Sequence, residues 1–256
     1  MTLPKCLAQI TIDSTNDVLG YGLGGAQTAD IADGTYDSIL EVLAELEDKL
    51  QAVDATFAVT VSANGFVVIT CNTAFTASWA ATDDALETLL GFAGTESVAG
   101  SGPYTLTATL RHRAAFYPPV GGNWPSDKRK KSVREQETDD GDMIQYASSS
   151  VHRYREILFS LLTYAQCENG GTDSDGAGGS ISWTGVTLLD FWEYVAGKKF
   201  RFYEDRSNGT VASPGTEGTD YVTCRMLYRE PWEPKQPDQC NFALFDVELE
   251  WKIVGS

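Results

Sequence analysis

The fold class is decided at residues 245–253, whose sequence is FDVELEWKI. Apolar and charged residues alternate there without interruption. A period of two predicts a β-strand with one buried face and one solvated face. We therefore expect the chain to end paired inside a sheet. No catalytic motif of comparable clarity occurs elsewhere in the sequence.

Other segments add helices and further strands. A helix is predicted over residues 39–50, where isoleucine and leucine recur at helical spacing and acidic residues fill the other positions. Apolar residues alternate on both sides of Asn64-Gly65, a dipeptide typical of a tight β-hairpin. A shorter helix over residues 83–90 is expected to end at Gly91. Further strands are predicted at residues 6–12, 104–110, 143–147, 151–162, 200–203 and 221–228, and a third helix at residues 187–196.

Two segments lack any periodicity and are predicted to be long loops. Residues 13–34 are rich in glycine and aspartate, and residues 117–141 contain prolines and glycines followed by a basic run and an acidic run. The second segment is also the predicted domain boundary. The predicted fold class is therefore α+β. A small α+β domain at residues 1–116 is followed by a β-rich domain, a sandwich or a barrel-like fold, at residues 117–256.

The charge of the chain limits its partners. Its 19 basic and 36 acidic residues give a formal net charge of −17. Such a surface is not expected to adhere to DNA or to anionic membranes. An acidic wall would nevertheless suit a conduit through which nucleic acid passes without sticking. No export signal or membrane span is visible, so we expect a soluble product of the cytoplasm.

Cysteine usage agrees with a reducing compartment. The chain has five cysteines, an odd number, and none of them forms a Cys-x-x-Cys pair. We therefore expect free, buried thiols rather than a disulfide framework.

The candidate chemical motifs are weak. Residues 20–25, GYGLGG, match a dinucleotide-binding pattern, but no strand leads directly into them and no helix follows at once, so a loop is the favoured interpretation. His112 and His152 lie beside arginines in predicted strands, and an exposed or interface position is expected for both. Acidic clusters around Asp140 and Asp173 lack the spacing of an EF-hand and are interpreted as solvated loops. The sequence thus predicts no catalytic, cofactor-binding or metal-binding residues.

One basic cluster stands out on this acidic chain. It consists of Lys128, Arg129, Lys130, Lys131 and Arg134. The sequence favours an arm that contacts an acidic surface of a neighbouring copy and so sets the register of a homo-oligomer. A merely solvated loop is the open alternative. Binding of nucleic acid is disfavoured because interleaved aromatic residues are missing.

Several segments resemble structural proteins of long-tailed bacteriophages. The predicted order of helix, hairpin and second helix, closing with LETLLGF at residues 86–92, resembles small domains of virion proteins. The second half resembles distal tail and tail-tube proteins. This likeness rests on RYREILF at residues 153–159, LDF at 189–191, GKKFRFYED at 197–205, and the final alternating strand. One departure is that an α+β unit precedes the β-rich domain, whereas distal tail proteins usually begin with the β domain.

The resemblance implies a non-enzymatic structural protein of a virion tail, made in the cytoplasm of a bacterial host. It implies a homo-oligomeric ring, with six copies expected, in or near the baseplate and in contact with the tail tube and the baseplate hub. DNA would be only a transient passenger, and no cofactor or membrane is implied. A major tail-tube protein is one alternative. A carbohydrate-binding module, suggested by the many aromatic residues of the second half, is an alternative from another class.

Overall fold

The computed structural model describes residues 3–78, 84–92, 96–97, 102–118, 127–137, 143–174, 180–226, 232, 234 and 244–254. The fold belongs to the α+β class, as predicted. None of the described helices has the length and apolar character needed to cross a membrane.

The described helices are α1 (Ile39–Gln51), α2 (Asp84–Leu90) and α3 (Leu188–Tyr194), and a single π-helical turn spans Ala165–Asn169. The strands of the first half are β1 (Lys5–Ala8), β2 (Ile10–Ile12), β3 (Val18–Gly22), β4 (Ala26–Asp30), β5 (Gly34–Tyr36), β6 (Ala58–Val61), β7 (Val67–Cys71), β8 (Thr76–Ser78), β9 (Glu96–Ser97), β10 (Tyr104–Thr107) and β11 (Ala115–Phe116). Those of the second half are β12 (Asp127–Glu137), β13 (Met143–Thr163), β14 (Thr172–Ser174), β15 (Ser180–Ser182), β16 (Lys199–Tyr203), β17 (Tyr221–Met226) and β18 (Leu244–Ile253).

The main element is a seven-stranded antiparallel sheet with the order β11-β1-β16-β17-β18-β13-β12. The predicted final strand, β18, lies inside this sheet between β17 and β13. Trp251 of β18 is fully buried and its ring contacts the rings of Phe159, Phe200 and Phe202. Across the described residues the sheet stays open, with β11 and β12 at its edges, so the barrel-like alternative is wrong.

Strand β1 joins the two halves of the chain. It pairs with β11 on one side and with β16 on the other, and the residues Cys6, Leu7 and Ala8 are completely buried. A strand from residues 1–116 therefore lies within the sheet of the second half. The two predicted domains share this sheet and one hydrophobic core, and the boundary at residue 116 does not separate two sheets.

The smaller elements pack around this junction. Helix α1 buries its apolar face, as its spacing predicts, and contacts β6, β4 and β5. The predicted hairpin is present as β6 and β7, which form a three-stranded sheet with β10. Helix α2 ends at Gly91 with φ +85°, where a Cβ atom would collide with the backbone of Leu110. The predictions of these elements are confirmed. They could be made from the sequence because each pattern lies within one segment.

The predicted loop at residues 117–141 is wrong over Asp127–Glu137, which form β12. This strand pairs along its length with β13, where one continuous strand replaces the two predicted at residues 143–147 and 151–162. Pairing in a sheet uses backbone hydrogen bonds, so a run of charged residues that breaks the periodicity does not prevent it.

The predicted loop at residues 13–34 is also largely wrong. Its residues form β3 and β4, an antiparallel pair that belongs to a four-stranded sheet with β8 and β9. The motif GYGLGG spans the end of β3 and the following turn, where Gly24 has φ +68°. The dinucleotide-binding context of strand, turn and helix is therefore not formed at these residues.

Candidate functional site

Two features of the described structure are suited to contact other molecules. One is the hairpin formed by β12 and β13, which carries the predicted interface residues. The other is a cleft between β6 and the loop that follows β16.

The hairpin extends beyond the rest of the seven-stranded sheet. Strand β18 pairs with β13 only from Arg153 to Thr163, whereas β12 continues to pair with β13 down to Met143. Residues 130–137 and 143–152 thus form a two-stranded ribbon, to which no third strand is added within the described ranges. At about 3.4 Å per residue, the ribbon is roughly 30 Å long.

The predicted interface residues all lie on the outer strand of the hairpin. Lys128, Arg129, Lys130 and Lys131 are paired through their backbones with residues 151–154 of β13, and Arg134 lies opposite Tyr146. A register shift falls between Lys131 and Val133. The basic cluster is therefore on an edge strand rather than in a loop. Charged residues on an edge strand discourage unspecific pairing with other strands.

The cleft has a volume of about 460 Å³. One wall consists of residues 58–63, which are β6 and the two residues after it, and the opposite wall is the loop after Arg206. Glu47 of α1 also borders the cleft, and Lys5 and Tyr117 line it from the sheet side. The cleft thus brings together residues from both halves of the sequence.

Lys5 supplies a buried positive charge to the cleft. Only 4% of the residue is exposed, and its Nζ donates a hydrogen bond to the carbonyl oxygen of Gly209 at 2.6 Å. Burial and, after it, the charge of Arg206 lower the pKa of Lys5 to about 8, with Asp205 partly opposing them. Within the described residues, no carboxylate lies within ion-pair distance of Nζ.

Two arginines strengthen this positive character. Arg206 donates from Nη1 to the carbonyl of Ala63 at 3.0 Å and from Nη2 to that of Pro118, while its buried Nε has no partner among the described residues. Arg111 is 3% exposed and stacks on Trp183, with 3.9 Å from Cζ to the ring centroid. Its Nε and Nη1 also find no partner in the described part of the chain. Burial and, after it, the charge of Arg206 lower the pKa of Arg111 to about 10, with Tyr117 partly opposing them.

His112 lies behind the cleft and is fully buried, so the predicted exposed or interface position is wrong. Its Nε2 shares a hydrogen bond of 3.0 Å with the hydroxyl of Tyr117. Burial, followed by the charges of Lys5 and Arg111, lowers the pKa of His112 to about 3. The ring is therefore neutral at physiological pH, and it holds Tyr117 at the cleft wall. The adjacent arginines had suggested exposure because charged neighbours usually mark a solvated segment.

A second group of charged residues, around Arg201, differs from the cleft because its cation has carboxylate partners. Arg201 of β16 is 7% exposed and forms ion pairs with Glu41 at 2.6 Å and with Asp37 at 3.2 Å. Burial lowers the pKa of Arg201, but the charge and hydrogen bond of Glu41 outweigh it, and the pKa is raised overall. This junction fastens the start of α1 to the main sheet.

The remaining candidate residues do not converge. His152 lies opposite Lys130 in the hairpin, far along the chain from the cleft residues. Asp173 accepts a hydrogen bond from Thr163, and Asp140 lies outside the described residues. Among the residues that the structure describes, no group of three or more histidine, cysteine, aspartate or glutamate residues could hold a metal ion.

The cysteines and aromatic residues are mostly buried where the structure describes them. Cys6, Cys71, Cys167 and Cys224 are free and buried, as predicted, and Cys240 lies outside the described residues. In the second half, the described aromatic residues with at most 2% exposure are Phe159, Trp183, Phe191, Phe200, Phe202, Tyr203 and Trp251. These residues form the core and do not make a surface platform for a carbohydrate.

Comparison with known proteins gives no match: no family model, no curated protein and no solved structure is significantly similar to this chain. The geometry of the ribbon and the cleft is therefore the basis for inferring a function.

The sequence indicated the basic cluster but not the cleft. Lys5, Tyr117 and Arg206 are widely separated in the chain, and each has an ordinary local context. The only available signal was the dipeptide Asn64-Gly65. A Cβ atom at Gly65 would lie 2.6 Å from the ring of Tyr117, so the glycine of the predicted turn also lets the tyrosine approach the hairpin.

Proposed function

We propose that this chain is a non-enzymatic structural subunit of a phage-type virion tail. It assembles with copies of itself into a closed ring, as a distal tail protein in or near the baseplate. The observation that carries the proposal is the two-stranded ribbon of residues 130–137 and 143–152, which extends past the seven-stranded sheet. A major tail-tube protein is the alternative position within the same class.

The ribbon supports assembly for an energetic reason. An isolated two-stranded hairpin has at best marginal stability in water, because it buries little apolar surface. Contact with a neighbouring subunit would supply the missing burial. An exposed edge strand also offers unpaired backbone groups to a partner. Its basic residues would select an acidic partner surface, and a chain of net charge −17 provides such a surface on every copy.

The excess of acidic residues suits the proposed role. A ring in a tail surrounds a channel through which DNA passes, and a negatively charged wall would reduce adhesion of the DNA. Closed cyclic symmetry satisfies every interface without open ends. Six copies is the number implied by the resemblance to tail proteins, which is also the basis for expecting the tail tube and the baseplate hub as neighbours.

The first test is the oligomeric state of the wild-type chain by native mass spectrometry, alone and with the tail proteins encoded beside it. We expect a closed ring of defined stoichiometry. A chain that remains monomeric under both conditions would contradict the proposal. The gene neighbourhood is an independent check, since genes for polysaccharide degradation in place of tail genes would favour the carbohydrate-binding module.

The second test concerns the basic cluster. We expect replacement of Lys128, Arg129, Lys130 and Lys131 by glutamate to weaken ring formation in low salt, because the edge would then repel an acidic neighbour. The matched control reverses four exposed charges elsewhere, at Lys49, Arg113, Lys199 and Arg225. It changes the net charge equally. Equal oligomer populations in the two variants would remove the basic edge as an assembly element.

A further inference from the structure

We propose that the cleft between β6 and the loop after Arg206 is an acceptor site for an extended acidic segment of a second copy, namely residues 135–142 of its hairpin. This inference rests on the proposed assembly and specifies its interface. It differs from the contact of the basic edge described above, because it assigns a binding site on the subunit that receives the hairpin.

One wall of the cleft is an available strand edge. Strand β6 is the outer strand of the sheet β10-β7-β6. The N–H of Val59 points away from β7, since it donates to Glu47 Oε2 at 3.2 Å. Backbone direction alternates along a strand, so the N–H and C=O of Val61 also point into the cleft. No backbone partner on this side of Val61 occurs among the described residues. An extended segment could pair there by strand addition.

The other end of the cleft favours an anion. Lys5 uses one of its donors on Gly209 and Arg206 uses two on main-chain carbonyls. Neither forms an ion pair with a carboxylate within the described ranges. Arg111 lies close enough to Arg206 for their charges to interact. Three buried or partly buried cations thus share this region, and an acidic side chain would compensate their charge.

The hairpin carries the complementary charge. Residues 135–142 have the sequence EQETDDGD and follow the basic part of β12 directly. This is a dense acidic run, and its residues 135–137 lie at the far end of the ribbon from the sheet. Residues 135–137 belong to β12, so this part of the segment has an extended backbone.

The register of the main sheet places the ribbon and the cleft at positions that suit a head-to-tail ring. Ala8 of β1 and Arg153 of β13 lie in one row across the sheet. Because successive strands are antiparallel, Lys5 and the ribbon lie on the same side of that row. The ribbon is at the β12 edge, and Lys5 is in β1, next to the opposite edge strand β11. Copies arranged side by side would bring the ribbon of one subunit toward the cleft of the next.

A peptide experiment tests the acceptor site directly. A labelled peptide of residues 133–143, VREQETDDGDM, is titrated with the full chain at low salt and at concentrations below assembly, and fluorescence anisotropy is measured. The control peptide replaces every glutamate and aspartate by its amide. We expect the acidic peptide to bind at least about tenfold more tightly than the control. Equal binding of the two peptides would overturn the inference.

Two pairs of variants locate the binding. Ala212 is exposed on the cleft wall, so we expect Ala212→Glu to weaken peptide binding by about threefold and Ala212→Lys to strengthen it similarly. Val61→Pro removes the N–H that points into the cleft, whereas Val61→Ala keeps it. We expect only the proline variant to lose about fivefold in affinity. Thermal unfolding verifies that the variants are folded. If Val61→Pro does not fold, the two Ala212 variants still test the site.

The outcomes separate this inference from the proposed function. A ring whose stoichiometry and stability are unchanged in Ala212→Glu, together with no peptide binding, would overturn the acceptor site and leave the ring proposal standing. Peptide binding by a chain that never assembles would remove the second copy as the occupant, and with it the inference. Weaker assembly of Ala212→Glu and stronger assembly of Ala212→Lys would support both.

Discussion

Two charged regions lie along or just after the same strand, β16, and the arginines in them have different partners. Arg201, within the strand, meets Glu41 and Asp37 at the start of α1. Arg206, just after the strand, donates to two main-chain carbonyls, lies over the ring of Tyr117 and forms no ion pair with a described carboxylate. Lys5 and Arg111 lie near it. Burial lowers the pKa of both arginines, but only at Arg201 is this shift reversed, by Glu41 together with Tyr203 and Tyr221.

The difference separates a structural contact from a candidate binding site. A buried cation with its own carboxylates is neutralised within the subunit and helps to hold α1 on the sheet. A cluster of cations that forms no ion pair with a described carboxylate keeps a positive potential that another molecule can compensate. The following three predictions test this comparison, beginning with the largest expected effect.

The first prediction concerns acid stability and His112. Because its folded pKa is about 3 and its unfolded value is 6.5, the unfolded state binds the extra proton between these pH values. This contribution to stability is present above pH 6.5 and decreases as the pH falls toward 3. We expect the wild type to lose on the order of 3 kcal/mol more than His112→Gln between pH 7 and pH 4.

Urea unfolding of both proteins at several pH values measures that difference. Glutamine retains a hydrogen-bonding group for Tyr117, and comparing slopes rather than absolute stabilities removes the cost of the substitution itself. The charged groups facing His112 are Lys5 and Arg111, both positive, and they act in the same direction as burial. Parallel pH dependences of the two proteins would show that the histidine is not held neutral.

The second prediction concerns the ion pairs of Arg201 with Glu41 and Asp37. We expect Arg201→Met to reduce the free energy of unfolding by about 2 kcal/mol, because Glu41 and Asp37 lose their shared cation. The effect falls below that of a fully buried pair because the Asp37 side chain is 60% exposed and water can replace part of the interaction. Chemical denaturation at neutral pH measures it. The control is Arg225→Met, at an exposed position on β17, for which a change within about 0.5 kcal/mol is expected.

The third prediction concerns Arg111, which lies in the cluster of cations beside the cleft, and it has the smallest expected effect. Arg111→Met removes a buried cation whose Nε and Nη1 have no described partner. Relief of that desolvation offsets the lost stacking on Trp183, so we expect the free energy of unfolding to change by less than about 1 kcal/mol in either direction. Thermal and chemical denaturation beside Arg201→Met provide the direct comparison. A loss as large as that of Arg201→Met would mean that the two regions do not differ in charge compensation.

The accuracy of the sequence-based expectations depended on how local each signal was. Helix α1, the β6–β7 hairpin and β18 were predicted correctly, because each shows its own hydrophobic period or turn dipeptide. Strand β12 was missed because DKRKKSVREQE has no apolar alternation, and its pairing with β13 is supplied by the backbone. Strand β3 was missed because its glycines suggested a loop, while pairing with β4 and β8 keeps it extended.

The candidate site was predictable only in part. The basic cluster was visible because four consecutive cations stand out on an acidic chain, but its position on an edge strand was not. The cleft and its buried His112 left no comparable signal, since residues 5, 112 and 206 are brought together only when β1 inserts between β11 and β16. A pattern along the sequence indicates which residues of a segment are buried. It does not indicate which distant segments pair with one another.

The sequence alone therefore determined the α+β class, the main helix, the central hairpin, the final strand and the strongly acidic surface. Each of these follows from composition or from a period of two or 3.6 residues within one segment. The tertiary structure alone decided that β1 joins the two halves and that the charged segment becomes a strand. It also decided that Arg201 has carboxylate partners, whereas Lys5 and Arg206 form no ion pair with a carboxylate in the described part of the chain. These outcomes depend on contacts between residues far apart in the chain, whose energies arise only when the sheet and its core are assembled.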